Sequence, residues 1–204
     1  MKYALYTGCV AKGAGRELLA STEVVCKKLG IELVEMTDAA CCGAGVIGED
    51  NVMVSDIIKP LYNITMGAFY GCYAMRPHDY SDLDNPDNPD EMERILQVLG
   101  AKTVDYPARL KCCGFPILMM NKDNSMTLAG NALTSAKQAG ADCMVTQCPL
   151  CHLNMDAYQP EIDPALNLPV VHIQQAVGLA LGYTREELRM DTHIIRPSGP
   201  LAAL

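Results

Sequence analysis

Two Cys-Cys-Gly triplets, Cys41-Cys42-Gly43 and Cys112-Cys113-Gly114, stand in one chain, and each follows at a distance a Gly-Cys dipeptide that closes an apolar run. The first dipeptide ends Leu5-Tyr6-Thr7-Gly8-Cys9 and the second ends Ala68-Phe69-Tyr70-Gly71-Cys72. Between Gly-Cys and Cys-Cys-Gly each half carries Leu-Gly and a short extended stretch, Ile31-Glu32-Leu33-Val34 and Ala101-Lys102-Thr103-Val104. A repeated order of this kind is an internal duplication, and it constrains the fold before any single residue does. The halves end differently. After Cys113 the second half reaches Cys148-Pro149-Leu150-Cys151, whereas no Cys-x-x-Cys lies between Cys42 and Cys72. If the units were once equal, the first is shorter by about 60–80 residues, with the join just after Asn51.

Apolar periodicity places these cysteines. Tyr3–Thr7, Ile31–Val34, Ile64–Tyr70, Thr103–Val104, Cys143–Thr146 and Val170–His172 read as strands. Helices are predicted over Gly13–Leu29, Glu91–Leu99, Met126–Gly140 and Gln174–Leu181. Strands alternating with helices give an α/β fold of two Rossmann-like parallel-sheet units, the first truncated. The domain bounds are 1–51 for the incomplete first unit, 52–65 for a linker and 66–204 for the complete second unit. Ligand sites of such sheets gather at the carboxyl ends of strands, and Cys9, Cys72 and Cys148 lie at or just past such ends.

The remaining composition narrows the chemistry. The 204 residues hold ten cysteines, no tryptophan, two phenylalanines and a net charge of −8. Nucleic acid is excluded as a partner on that balance, since phosphate contacts need clustered Lys and Arg. No window has the ~18 apolar residues of a membrane span, and the N-terminus has no signal-peptide core. The expected compartment is the cytoplasm, where thiols stay reduced and grouped cysteines bind metal or do redox work.

Cys72, Cys112, Cys113, Cys148 and Cys151 form a set of five. A structural zinc site takes four thiolates, so zinc leaves one over, while soft thiolates at this density favour an iron–sulfur centre. Cys148-Pro149-Leu150-Cys151-His152 also matches the c-type haem attachment pattern, but that needs export. A thioredoxin-like pair would leave Cys112 and Cys113 unexplained. Cys26 and Cys143 lie on apolar faces and read as core residues.

These phrases resemble the CCG-domain family, typified by the B-type subunit of heterodisulfide reductase. The family includes the B-like proteins of heterodisulfide-reductase-like, sulfur-oxidising complexes and the cysteine-rich subunit of some succinate dehydrogenases and thiol:fumarate reductases. Phe69-Tyr70-Gly71-Cys72-Tyr73, Lys111-Cys112-Cys113-Gly114-Phe115 and Cys148-Pro149-Leu150-Cys151-His152-Leu153-Asn154 carry the resemblance. It makes Lys2–Gly45 similar to a first CCG unit and Met66–Gly182 to a whole second one. The resemblance implies a noncubane [4Fe-4S] cluster on Cys72, Cys112, Cys113, Cys148 and Cys151, and a substrate disulfide cleaved between two such clusters. Cys9, Cys41 and Cys42 would belong to the other cluster, which needs a Cys-x-x-Cys not found here. A segment omitted after Asn51 is the preferred reading over a naturally single site.

The function implied is an iron–sulfur redox subunit of a heterodisulfide-reductase-type complex, reducing a disulfide or oxidising a thiol or sulfur carrier. Its implied partners are an iron–sulfur protein like the C-type subunit of such complexes and a flavoprotein like the A-type subunit. Cys112, Cys113 and His152 are the candidate catalytic residues, His152 as hydrogen-bond donor to a sulfur or as a solvated loop histidine. His172 either serves the site or caps the following helix. The alternative is a non-catalytic electron-transfer or zinc-binding interaction subunit. Phe115–Met120 is expected to pack in the core, with a channel or subunit contact as the other reading, and Asp79–Glu93 is expected to be a solvated loop.

Overall fold

In the computed structural model, the described residues are 2–5, 16–35, 56–73, 75, 85 and 87–203. Cys9, Cys41, Cys42 and, of the Asp79–Glu93 stretch, residues 79–84 and 86 lie outside them. In the first half β1 (Lys2–Leu5) runs to α1 (Arg16–Lys28) and on to β2 (Glu32–Glu35), which pairs in parallel with β1. In the second half β3 (Thr65–Phe69), α2 (Glu91–Val98), β4 (Lys102–Thr103), α3 (Lys122–Gln138) and β5 (Cys143–Thr146) alternate. They continue into α4 (Pro149–Ala157), α5 (Gln159–Ile162), β6 (Val170–His172) and α6 (Ile173–Ala180). The strands β4-β3-β5-β6 form one parallel sheet, with Met66 opposite Cys143 and Val145 opposite Val171. This is the α/β architecture expected from the alternating pattern.

Successive side chains of a strand point to opposite faces, and here both faces are apolar. Met66, Ala68, Val145 and Val171 enter one core with Leu96 of α2 and Val177 of α6. Phe69, Met144 and Val170 enter the other with Leu133 of α3 and Met155 of α4. Helices therefore cover both sides of the sheet and leave its carboxyl edge open for chemistry. The halves also share side chains across α1 and α6. Val25 of α1 is fully buried in the second half's core. A Cβ at Gly178 of α6 would meet Leu188 at 2.5 Å and Val25 at 3.2 Å, so only glycine admits this approach.

Local differences from the predicted elements have local causes. Helix α3 begins at Lys122, four residues before the predicted Met126, because the Asn121 side chain caps it by accepting from the Asn124 N–H at 3.0 Å. The polar first turn Lys122-Asp123-Asn124-Ser125 carries no apolar stripe to reveal it. Helix α4 was not predicted, although Pro149 stands at its first position, where a missing N–H costs nothing. Strand β4 is shifted by one residue, and the Val104 N–H still donates to the Met66 carbonyl at 3.1 Å. The apolar run after Gly114 does not pack as expected: Met119 is 95% exposed and Met120 80%. A single 3-10 turn, Phe115–Ile117, carries the chain across the surface there and buries none of its residues.

Candidate metal centre

Three separated segments deliver the five cysteines to the carboxyl edge of β3 and β5. Cys72 follows β3 after Gly71, whose φ of +70° turns the chain sharply. A Cβ at Gly71 would lie 2.8 Å from the Cys151 Sγ, so the glycine opens the space in which that sulfur sits. Cys112 and Cys113 come from the loop between β4 and α3. Cys148 is the N-cap of α4 and Cys151 lies in its first turn. A separation of three residues at a helix start sets two side chains on one face.

The five divide by exposure. Cys72 and Cys112 are half-buried, with their sulfurs 3.7 Å apart. Cys113, Cys148 and Cys151 are buried. The Cys151 thiol is hydrogen-bonded to Cys113 and to Cys148, and those bonds together with burial push it up. The same bonds act oppositely on its neighbours. Cys148 is drawn down to about 7 by Cys151 against the effect of burial, helped by the backbone N–H groups of Cys151 and Leu150. Cys113 is likewise lowered, first by Cys151. Cys72 is pushed up to about 11, by burial first and then by Cys112. The site is thus an open outer pair beside a buried, hydrogen-bonded inner trio. Among the described residues, no three His, Cys, Asp or Glu side chains converge as ligands of one metal ion would.

The Cys-Cys-Gly turn is held from two sides. Gly114 has a φ of +87°, and its N–H donates to the Cys112 sulfur at 3.4 Å. The buried Asn154 donates to the Cys113 carbonyl at 2.8 Å and to the Ser125 hydroxyl at 3.3 Å, tying the turn to both α3 and α4. Asn154 stands within the Cys148–Asn154 motif, but the sequence alone assigned it no task. Cys26 and Cys143 are away from the site and buried, as predicted for core residues, with Cys143 pushed up to about 12 by burial. Tyr73 follows Cys72 at the rim with its side chain largely exposed.

The histidines are buried as well. His152 is 3% exposed, so it is no solvated loop residue, and its ring meets that of His193 edge-on at 4.7 Å between centroids. Burial drives its pKa well down, and it is neutral. His172 occupies the N-cap of α6, where the Gln175 side chain accepts from its backbone N–H at 2.9 Å. Its ring Nε2 donates to the Gln147 carbonyl at 2.9 Å, fixing the residue that precedes Cys148. His172 therefore both starts a helix and braces the site. His193 had no role in the sequence-based expectations, and its position far beyond His152 gave no signal of the contact.

The profile of the cysteine-rich CCG domain matches this chain twice, over residues 3–59 and 66–156. The chain belongs to the CCG domain family. Among curated CCG relatives, it is 35% identical over 145 residues to the 8-methylmenaquinol:fumarate reductase membrane anchor subunit of Wolinella succinogenes, covering 69% of this chain and 51% of that one. It is 30% identical over 146 residues to the B-type subunit of the ferredoxin:CoB-CoM heterodisulfide reductase of Methanosarcina mazei, covering 69% and 48%. A protein of Archaeoglobus profundus, named for its likeness to the B-type subunit of heterodisulfide reductase, is 27% identical over 136 residues, covering 63% and 46%. The chain thus spans about half the length of these relatives. Among solved structures, a hypothetical protein from Helicobacter pylori matches the fold with a TM-score of 0.68 at 11% identity, over 97% of this chain and 52% of that one. No helix among the described residues is long and apolar enough to cross a membrane.

Proposed function

We propose that this CCG protein is the iron–sulfur subunit of a heterodisulfide-reductase-type complex, with its cluster held by Cys72, Cys112, Cys113, Cys148 and Cys151. The observation that carries this reading is the gathering of five thiols from three segments, divided into an open pair and a buried trio. Five soft donors exceed the tetrahedral set of a zinc ion, and Gly71 lets the Cys151 sulfur approach the backbone that leads into Cys72. When bound, such a cluster supplies one-electron transfer and a Lewis-acidic iron that stabilises a thiolate leaving from a disulfide. The protein's own part is positional. The inner trio anchors the group in a low-dielectric pocket, the outer pair leaves one side open to substrate, and Asn154 and His172 hold the segments bearing Cys113 and Cys148. On the same reading the chain divides into a first unit at 1–51, a linker at 52–65 and a second unit at 66–204.

The substrate on this proposal is a disulfide in one direction, or a thiol or sulfur carrier in the other. An iron–sulfur C-like partner and a flavin-bearing A-like partner would carry electrons to the site. A second reading is favoured by the relative named as a fumarate reductase membrane anchor subunit: electron relay between a partner complex and a quinol, with no sulfur substrate. Iron and acid-labile sulfide counted in anaerobically purified protein test the cluster, and disulfide-dependent reoxidation of the reduced protein separates the readings. Zinc without sulfide would refute both, while iron and sulfide without disulfide reactivity would favour relay.

A further inference from the structure

We infer that Arg109 is a positioning residue that sets the geometry of the outer cysteine pair, an inference that rests on the cluster assignment above. Arg109 precedes Cys112 by three residues and Tyr70 precedes Cys72 by two, and the two segments are joined through these residues. The Arg109 carbonyl accepts from the Tyr70 N–H at 3.1 Å. Its guanidinium lies 5.6 Å from the centre of the Tyr70 ring. The Tyr70 hydroxyl donates to Glu93 at 2.5 Å and accepts from the Met92 N–H at 3.0 Å. Glu93 in turn meets the guanidinium at 3.2 Å, which closes a ring through β3, α2 and the loop before Cys112.

Arg109 is only 8% exposed, and every nitrogen of its guanidinium is engaged. One terminal nitrogen donates to the Pro89 carbonyl at 2.7 Å as well as to Glu93, the other to Asn88 at 2.6 Å, and Nε pairs with Asp105 at 3.0 Å. A planar fork with five N–H donors fills all these directions at once, and an ammonium does not. A buried cation needs such complete pairing to be tolerated. The partners lie in two stretches of backbone, Asn88–Glu93 and Asp105, so the guanidinium ties the start of α2 to the loop before Cys112, and through Tyr70 to the end of β3. The 3.7 Å between the Cys72 and Cys112 sulfurs is set by this ring. Groups that orient metal ligands without touching the metal commonly change metal retention by ~10–100-fold when removed.

The test compares Arg109→Lys, Arg109→Met and Tyr70→Phe with the parent in the full chain, after anaerobic reconstitution with iron and sulfide. Iron and sulfide per chain, the rate of iron loss to a chelator, and the width and potential of the cluster's electron paramagnetic resonance signal are read. Both Arg109 variants are expected to lose iron about tenfold faster and to give a broadened signal at a shifted potential, with lysine failing to rescue. Tyr70→Phe, which keeps the ring and the backbone bond, gives the same change to a smaller degree and remains informative if the Arg109 variants do not fold. Loaded variants with the parent's signal and potential would overturn the inference and reduce Arg109 to a structural residue. A parent that takes up no iron and sulfide would instead overturn the cluster assignment.

Discussion

Replacing Gly114 by alanine separates two costs that the Cys-Cys-Gly turn imposes. The first is conformational: φ is +87° at Gly114, and an L-residue loses ~1–2 kcal/mol in the left-handed region. The second is steric. A Cβ at Gly114 would lie 2.5 Å from the Ser125 carbonyl oxygen and 2.8 Å from its Cα, against ~3.5 Å for ordinary contact. These are backbone atoms of α3, so roughly 1 Å must come from moving the helix or the turn, at an overpacking cost of ~1–3 kcal/mol. Gly140 is a matched control, with φ at +89° and nothing within 4 Å of its Cβ. Gly140→Ala is therefore expected to lose about 1–2 kcal/mol in urea unfolding of the metal-free protein, and Gly114→Ala about 2–5 kcal/mol. Gly114→Ala should also retain less iron after reconstitution, because the displaced turn carries Cys112 and Cys113, while Gly140→Ala retains the parent's amount. Equal midpoints and equal iron in the two variants would refute the reasoning that α3 fixes the turn.

Cys26→Ala and Cys143→Ala should leave iron content unchanged at a stability loss of about 1–2 kcal/mol each, whereas Cys148→Ala or Cys151→Ala should abolish loading; elemental analysis with urea titration checks both. Asn154→Ala leaves the buried Cys113 carbonyl without its donor and should cost about 1–3 kcal/mol and hasten iron loss to a chelator. Acidification should destabilise the metal-free fold. His172 and His193 are pushed down to about 4 from 6.5, mainly by burial, so between those values the unfolded chain binds protons that the folded protein excludes. Asp156, pushed up to about 6 from 3.8 by burial, works in the opposite direction below pH 6, as do Glu17 and Glu93, also raised by burial, while the buried His152 adds to the loss, and the three rings decide the sign. Thermal melts from pH 7 to pH 4 read this, and a midpoint that holds or rises would sink it.

The alternation of strands and helices was legible because each parallel strand buries both faces and so reads as an unbroken apolar run, as in Cys143–Thr146 and Val170–His172. Of the five cysteines of the second unit, Cys72 follows β3 and Cys148 and Cys151 open α4, where the pattern itself changes, whereas Cys112 and Cys113 lie in a loop marked in the sequence only by the repeated Cys-Cys-Gly. Side-chain bracing was not. Arg109 looks like an ordinary surface cation in sequence, and only the return of the chain past Asn88, Glu93 and Asp105 encloses it. His152 followed a ligand motif and was read for chemistry or solvent, yet its burial depends on His193, contributed by a segment with no periodicity. Met119 and Met120 show the reverse failure: composition placed them inside, but they stand in the turn between the 3-10 segment Phe115–Ile117 and α3, where no continuous face buries them.

The insertion of Val25 against Gly178 has a thermodynamic meaning for the whole molecule. Because α1 completes a core otherwise built from the second half, the two halves are expected to melt as one cooperative body. A calorimetric trace should show one endotherm, and a fragment starting at Met66 would leave an open apolar slot along α6. Helix α1 belongs to the first half by sequence and to the second half by packing, so the border between the halves in the chain is not a border in the core.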